Sequence, residues 1–218
     1  MTFDDAVRDV AWSPRSSRYT RFAMDYGQLI LIPDDSGYGL SLNVNIDGYQ
    51  NANYSTNTGY VKYVIPSKYV KLDNDLSYFA LGDNRSVVTD GTESLGNIII
   101  KEGSGIASAA LSYRVRAMKT ATTTTIDGVV SYVNIWIIKM KIASYSSYSG
   151  DLDLISKSYS VRTDPAPFGA AERIYDVVDG KCDVSVQIGD MSPYTESVAL
   201  PEGFVVFNFV ISEVEVSP

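Results

Sequence analysis

Leu40-Ser41-Leu42-Asn43-Val44-Asn45-Ile46 alternates apolar and polar side chains without a break. Successive side chains of a strand point to opposite faces, so a period of two predicts a half-buried β-strand with Leu40, Leu42, Val44 and Ile46 turned inward. Asp47-Gly48 closes it as a turn. Cys182 to Ile188 repeats the pattern, with Cys182, Val184, Val186 and Ile188 set against Asp183, Ser185 and Gln187. Leu111, Tyr113, Val115 and Ala117 do the same against Ser112, Arg114 and Arg116. That spacing expects both arginines on a solvent face or a sheet edge, and Lys139 with Lys141 likewise.

Working outward from these segments, Thr120–Ile126 and Val129–Ile142 flank Asp127-Gly128, the strongest hairpin signal in the chain. Tyr60–Ile65, Leu76–Leu81, Asn97–Lys101 and Leu152–Val161 are further β-rich runs. Phe204–Val216 is apolar on both faces until Glu213, which places it near the middle of a packed sheet or at an interface. Ser146–Gly150 and Asp164–Gly169 read as loops.

Helical signals are few. Over residues 2–11, Thr2 and Asp5 have capping-box spacing, and Phe3, Ala6, Val7 and Val10 fall on one helical face before Pro14 stops the run. Ala170–Val178 is a second, shorter candidate, with Ala170, Ile174 and Val177 at helical spacing. The expected fold is therefore all-β: a β-sandwich of the jelly-roll kind with one or two short helices. The simplest organisation is one domain over residues 1–218 with a short N-terminal helix at about 2–11, and a break near residue 103 is the fallback.

Composition removes several chemistries. The 218 residues contain no histidine and one cysteine, Cys182. Histidine-based acid–base catalysis, His or Cys zinc sites and intrachain disulfides are excluded. The net charge of −8 disfavours direct nucleic-acid binding, which needs a basic face to displace counterions. No run of 18 apolar residues occurs, so no membrane-spanning helix and no membrane insertion are expected.

Tyr78-Phe79-Ala80-Leu81-Gly82-Asp83-Asn84-Arg85, extended loosely by Asp90 and Gly96, is the most motif-like segment. It resembles the Tyr-Phe…Gly-Asp-Asn-Arg segment of type I signal peptidases, and the resemblance implies a serine nucleophile and a lysine base. Ser13-Pro14 lacks the family's Ser-Met-x-Pro setting. Arg21 stands where a lysine would be wanted, and a guanidinium stays protonated. A tight Gly-Asp-Asn turn between two strands accounts for the same residues.

The Asp pairs Asp34-Asp35, Asp73/Asp75 and Asp151/Asp153 offer oxygens to calcium, but none has EF-hand spacing, and solvated turns explain them. No catalytic residue, metal site or cofactor is expected.

Two clusters suit binding instead. Arg15, Arg18 and Arg21 with Tyr19 and Phe22 form the one local basic cluster, a candidate protein interface. Tyr49, Tyr54, Tyr60, Tyr63 and Tyr69, interspersed with Asn51, Asn53 and Asn57, form a candidate ligand face able to stack on a glycan. Sixteen tyrosines against seven phenylalanines suit surfaces that are wet in one state and buried in another.

At the level of architecture the chain resembles jelly-roll capsid, decoration and tail proteins of viruses and phages. That resemblance implies a non-enzymatic structural protein of a virion, a homo-oligomer whose partners are copies of itself and other virion proteins. The alternative is a carbohydrate- or receptor-binding β-sandwich, extracellular or on a cell surface.

Overall fold

The computed structural model describes residues 2–46, 49–71, 76–103, 105–164 and 174–218. The chain is all-β with one short helix, and its two sheets make a sandwich-like arrangement.

Helix α1 (Phe3–Ala11) begins as its sequence dictates. Thr2 accepts the Asp5 backbone N–H, and the Asp5 side chain reaches back to the Thr2 N–H at 3.0 Å. Fifteen strands follow among the described residues: β1 (Ser17–Ile32), β2 (Tyr38–Ile46), β3 (Tyr49–Thr58), β4 (Tyr60–Pro66), β5 (Ser77–Leu81), β6 (Val87–Val88), β7 (Gly96–Gly103), β8 (Ile106–Tyr113), β9 (Val115–Thr125), β10 (Gly128–Lys141), β11 (Ser146–Asp164), β12 (Tyr175–Val177), β13 (Lys181–Ile188), β14 (Tyr194–Ala199) and β15 (Gly203–Ser217).

The large sheet runs β5-β7-β8-β4-β1-β11-β15-β10-β9-β6, with β12 also on β15. The small sheet runs β14-β13-β2-β3. Most neighbours are antiparallel, but β10 and β15 are parallel, with Asn134 opposite Asn208 and their side chains hydrogen-bonded at 3.0 Å.

The two central strands, β10 and β15, serve two cores. Val133, Ile135, Ile137, Phe207, Phe209 and Ile211 face the small sheet and meet Leu40, Leu42, Val44, Cys182, Val184 and Val186. One residue further along, the opposite face takes over. Ile138, Met140, Val214 and Val216 pack with Val7 and Val10 of α1, Leu29 and Leu31 of β1, and Leu154 of β11. The switch follows from the period of two: odd positions bury in the first half and even positions in the second. The even-numbered apolar residues of the first half, Phe204, Val206 and Val210, are half-buried on the other face.

Around α1 the large sheet curls into a half-barrel. Long β1 turns with it by a bulge between Met24 and Leu29, where its register on β11 shifts. Gly27 sits in that bulge at φ 91°, with the Val64 carbonyl 2.4 Å from where a Cβ would stand.

Several expectations are corrected. Leu111–Ala117 is not one strand but the end of β8 and the start of β9, which lie near opposite ends of the large sheet. The break is Arg114, whose N–H donates to the Leu95 carbonyl. Arg114 is 2% exposed rather than on a solvent face, and Arg116 is half-buried. Ser146–Gly150 belongs to β11, because Ser146, Ser147 and Tyr148 pair with Leu31, Ile30 and Leu29. Residues 170–173 of the second helix candidate, and 165–169 of the adjoining loop, lie outside the described residues. Tyr175–Val177 is strand, since pairing with β15 buries Val177 against the first core. The hairpin loop is Ile126-Asp127, with Gly128 already in β10 opposite Thr125.

Candidate functional site

The Gly-Asp-Asn-Arg segment builds an ionic hub where the two ends of the curled sheet meet. Gly82 has φ 76°, and a Cβ there would lie 2.8 Å from Asn97 Oδ1. Asp83 then folds an Asx turn: its Oδ1 accepts the Arg85 backbone N–H at 2.9 Å, and its Oδ2 accepts Arg85 Nη2 at 2.6 Å. Arg114 Nη1 reaches Asp83 Oδ1 at 3.0 Å, while its Nε donates to the Ser94 carbonyl at 3.1 Å. Arg85 also contacts Glu93 at 2.9 Å and Glu196 of β14 at 3.7 Å. Hydrogen bonds from Arg85, with the nearby Arg114 charge, hold the Asp83 carboxyl down at about 2. Both arginines are paired with carboxylates, which ties the β5–β6 turn to β14 and to the β8–β9 junction as a clamp between sheets, while Glu93 Oε2 is buried without a hydrogen-bond partner.

The residues that a signal-peptidase likeness would require are elsewhere. Ser13 is exposed after α1, with its carbonyl accepting from Ser16, and Arg21 pairs with Asp151 at 2.5 Å. Neither contacts the hub. Asp34 lies 3.7 Å from Lys139, Asp73 and Asp75 lie outside the described residues, and Asp151 is taken by Arg21. Among the described residues no group of three or more His, Cys, Asp or Glu is placed to hold a metal ion, and no helix is long and apolar enough to cross a membrane.

The basic cluster divides between two faces of β1. Arg21 and Tyr19 point outward, and Tyr19, 67% exposed, stands opposite the exposed Ile155 of β11. Phe22 turns inward, edge-on to Phe3 with ring centroids 5.8 Å apart. Arg18 reaches Asp9 of α1 at 3.5 Å, and Arg15 is exposed in the preceding turn at φ 65°.

The five tyrosines do not share a platform. Tyr54 is buried in the sandwich core. Tyr60 stacks on Tyr38 at 4.1 Å, and Tyr38 is pushed up to about 12 by burial and by Tyr60. The Tyr63 hydroxyl donates to the Tyr26 carbonyl. Tyr69 is exposed, with its ring 4.6 Å from Tyr26 and Lys68 Nζ 4.6 Å above it. Tyr49 lies in β3, paired with Ile46.

Two features escaped the sequence patterns. The first is an apolar cleft of about 500 Å³ between α1 and the curled sheet, lined by Phe3, Phe22, Leu29, Val61, Ile98 and Leu111, with Asp4, Asp5 and Arg8 also lining it. Burial raises the Asp4 carboxyl above its ordinary range despite Arg8 at 3.0 Å. No sequence signal reports a gap between elements distant in the chain.

The second is the outer half of β9. β6 covers β9 only at Val115 and Arg116, and residues 119–127 are all exposed. Thr120-Ala121-Thr122-Thr123-Thr124-Thr125 is thus an uncharged edge strand ending at Ile126, which is 100% exposed. The Thr run was visible in the sequence, but that it forms an edge depends on the pairing.

Comparison of the chain with protein-family models, curated proteins and solved structures finds no match.

Proposed function

We propose that this chain is a non-enzymatic building block of a virus or phage particle, serving as a shell, vertex, decoration or tail component through repeated protein–protein interfaces. The observation that carries the reading is the outer half of β9. Edge strands are normally blunted by charge, proline or a covering element, because their free N–H and C=O groups recruit other strands. Among the described residues nothing blunts 120–126 in these ways, and the stretch ends in a fully exposed isoleucine. A surface of this kind suits a protein that meets neighbours in an assembly.

The outward Tyr19 and Ile155 add a second exposed apolar spot, beside the Arg21–Asp151 pair. The arginine–carboxylate hub supports a structural rather than a chemical role for the signal-peptidase-like segment. The glycan alternative draws no support from the described tyrosines, which are divided among the core, a stacked pair and a separate surface cluster.

The test is the mass of the purified protein in solution across a concentration series, with negative-stain images of the same samples. Rings, tubes, shells or a fixed oligomer above 23.9 kDa are expected. A monomer at every concentration overturns self-assembly.

A further inference from the structure

We infer that the β9 edge pairs antiparallel with the same edge of a second copy, about a two-fold axis through Thr123. The inference rests on the assembly reading and names the interface.

The stretch is symmetric about that residue. Regular pairing of β9 with β10 is interrupted between Tyr132 and Val133, which leaves Thr120 without an opposite partner, and the strand ends at Thr125 before the Ile126-Asp127 loop. The regular open edge is therefore Ala121–Thr125, five residues centred on Thr123. Beyond it lie one cation and one anion, Lys119 and Asp127, each four positions from Thr123. In a two-fold antiparallel pairing each residue i meets residue 246 − i of the other copy. Thr122 then meets Thr124 and Ala121 meets Thr125, and the two ends bring Lys119, just past the irregularity at Thr120, near Asp127 of the other copy's hairpin loop. Any other axis loses this match, and a parallel arrangement sets like charges opposite like. A protein of net charge −8 repels its own copies, so a local pairing that brings Lys119 to Asp127 twice selects both partner and register.

The site is sterically open. Side chains 119–127 are exposed on both faces of the sheet, so no described element blocks an added strand. An isologous contact of this type closes on itself, joining two large sheets into one continuous sheet across the axis.

A single introduced cysteine tests it, because the native Cys182 is 1% exposed and does not compete. In the proposed register Thr123 faces itself, at the Cα separation of about 4.5–5.5 Å of opposed strand residues, inside the range for a disulfide. Thr125 of one copy lies four positions from Thr125 of the other, about 13 Å away. Thr123→Cys is expected to form a covalent dimer under mild oxidation about ten-fold or more faster than Thr125→Cys. Lys119→Asp and Asp127→Lys are each expected to weaken dimerisation of the full chain in analytical ultracentrifugation, and the double reversal to restore it.

Equal cross-linking at 123 and 125, or charge reversals that leave the mass unchanged in a protein that still oligomerises, overturns this interface and leaves the assembly reading intact. A monomer at every concentration overturns both. Uptake of a synthetic β-strand peptide by a chain that does not self-associate assigns the edge to a different partner and overturns self-pairing.

Discussion

Arg114 lies 31 positions from Asp83 in the chain, yet its Nη1 rests 3.0 Å from the Asp83 carboxylate with the arginine side chain only 2% exposed. The contact sits where β8 ends and β9 begins, a single residue joining strands near opposite ends of the curled sheet. The Ser94 carbonyl completes the cradle, so a buried guanidinium is neutralised at a point where backbone pairing is interrupted. Removing one member of such a pair costs more than the pair contributes, because the other charge is left buried.

Asp83→Asn is accordingly expected to destabilise the fold by about 2–3 kcal/mol at pH 7. The pH dependence has a definite sign. The Asp83 carboxyl titrates at about 2 in the fold against an ordinary 3.8, so its stabilisation is complete above about 4 and disappears as pH falls toward 2. With a side chain 39% exposed, that acid-labile part is discounted to about 1 kcal/mol. Urea denaturation from pH 7 to pH 2 should show the stability difference between the two proteins narrowing by about 1 kcal/mol on the acid side. A constant difference at all pH values would remove the ionic account of the hub.

Gly27→Ala should lower stability by about 2 kcal/mol or more, for two separate reasons. The residue holds a backbone region that L side chains rarely adopt, and its new Cβ would meet the Val64 carbonyl at 2.4 Å. For a chain of this size the expected loss of Tm is about 4–8 °C. An unchanged Tm would mean that the β1 bulge relaxes freely and does not fix the curl around α1.

Cys182 is buried in the sandwich core, and desolvation with the neighbouring Asp183 charge pushes its thiol up to about 12. The thiolate is the reactive form, so the native protein should resist a thiol reagent at pH 8 and react stoichiometrically once unfolded in urea. Fast native labelling would show that the small sheet opens readily from the large one.

Phe207→Ala and Ile126→Ser separate core from edge. Phe207 is 1% exposed between the sheets, and its truncation should cost about 3–5 kcal/mol through lost burial and a residual cavity. Ile126 is 100% exposed, so its replacement should change unfolding stability by less than about 0.5 kcal/mol. Denaturation curves of the two variants check this directly. A comparable loss for Ile126→Ser would mean that the isoleucine already packs against something in solution.

Alternation made β2 and β13 legible residue by residue, because a strand with one wet face must write its orientation into every second position. The capping pair Thr2 and Asp5 did the same for α1, since the groups satisfying a helix end lie within three residues of each other. The doubly apolar run at Phe204–Val216 announced a central strand, and β15 is one. Arg114 misled because its alternation with Ser112 and Arg116 continued smoothly through a break that only the Leu95 carbonyl and Asp83 impose. The serines of 146–149 looked like loop because their strand character comes from pairing with Leu29–Leu31, over a hundred residues away. Tyrosine was the least informative residue: an apolar ring with a polar tip suits a core, a stack or a surface equally, and the chain uses it in all three.

Sequence alone therefore determined what short-range chemistry controls: an all-β chain with one capped helix, the strands with a wet face, and the lack of histidine and paired cysteine. Tertiary structure decided which strands neighbour which, that β10 and β15 divide their two faces between two cores, that Asp83 and Arg114 meet, and that the threonine strand is left as an open edge. Those outcomes depend on contacts between residues far apart in the chain, and strand pairing satisfies the same backbone groups whatever the side chains, so no local pattern records them.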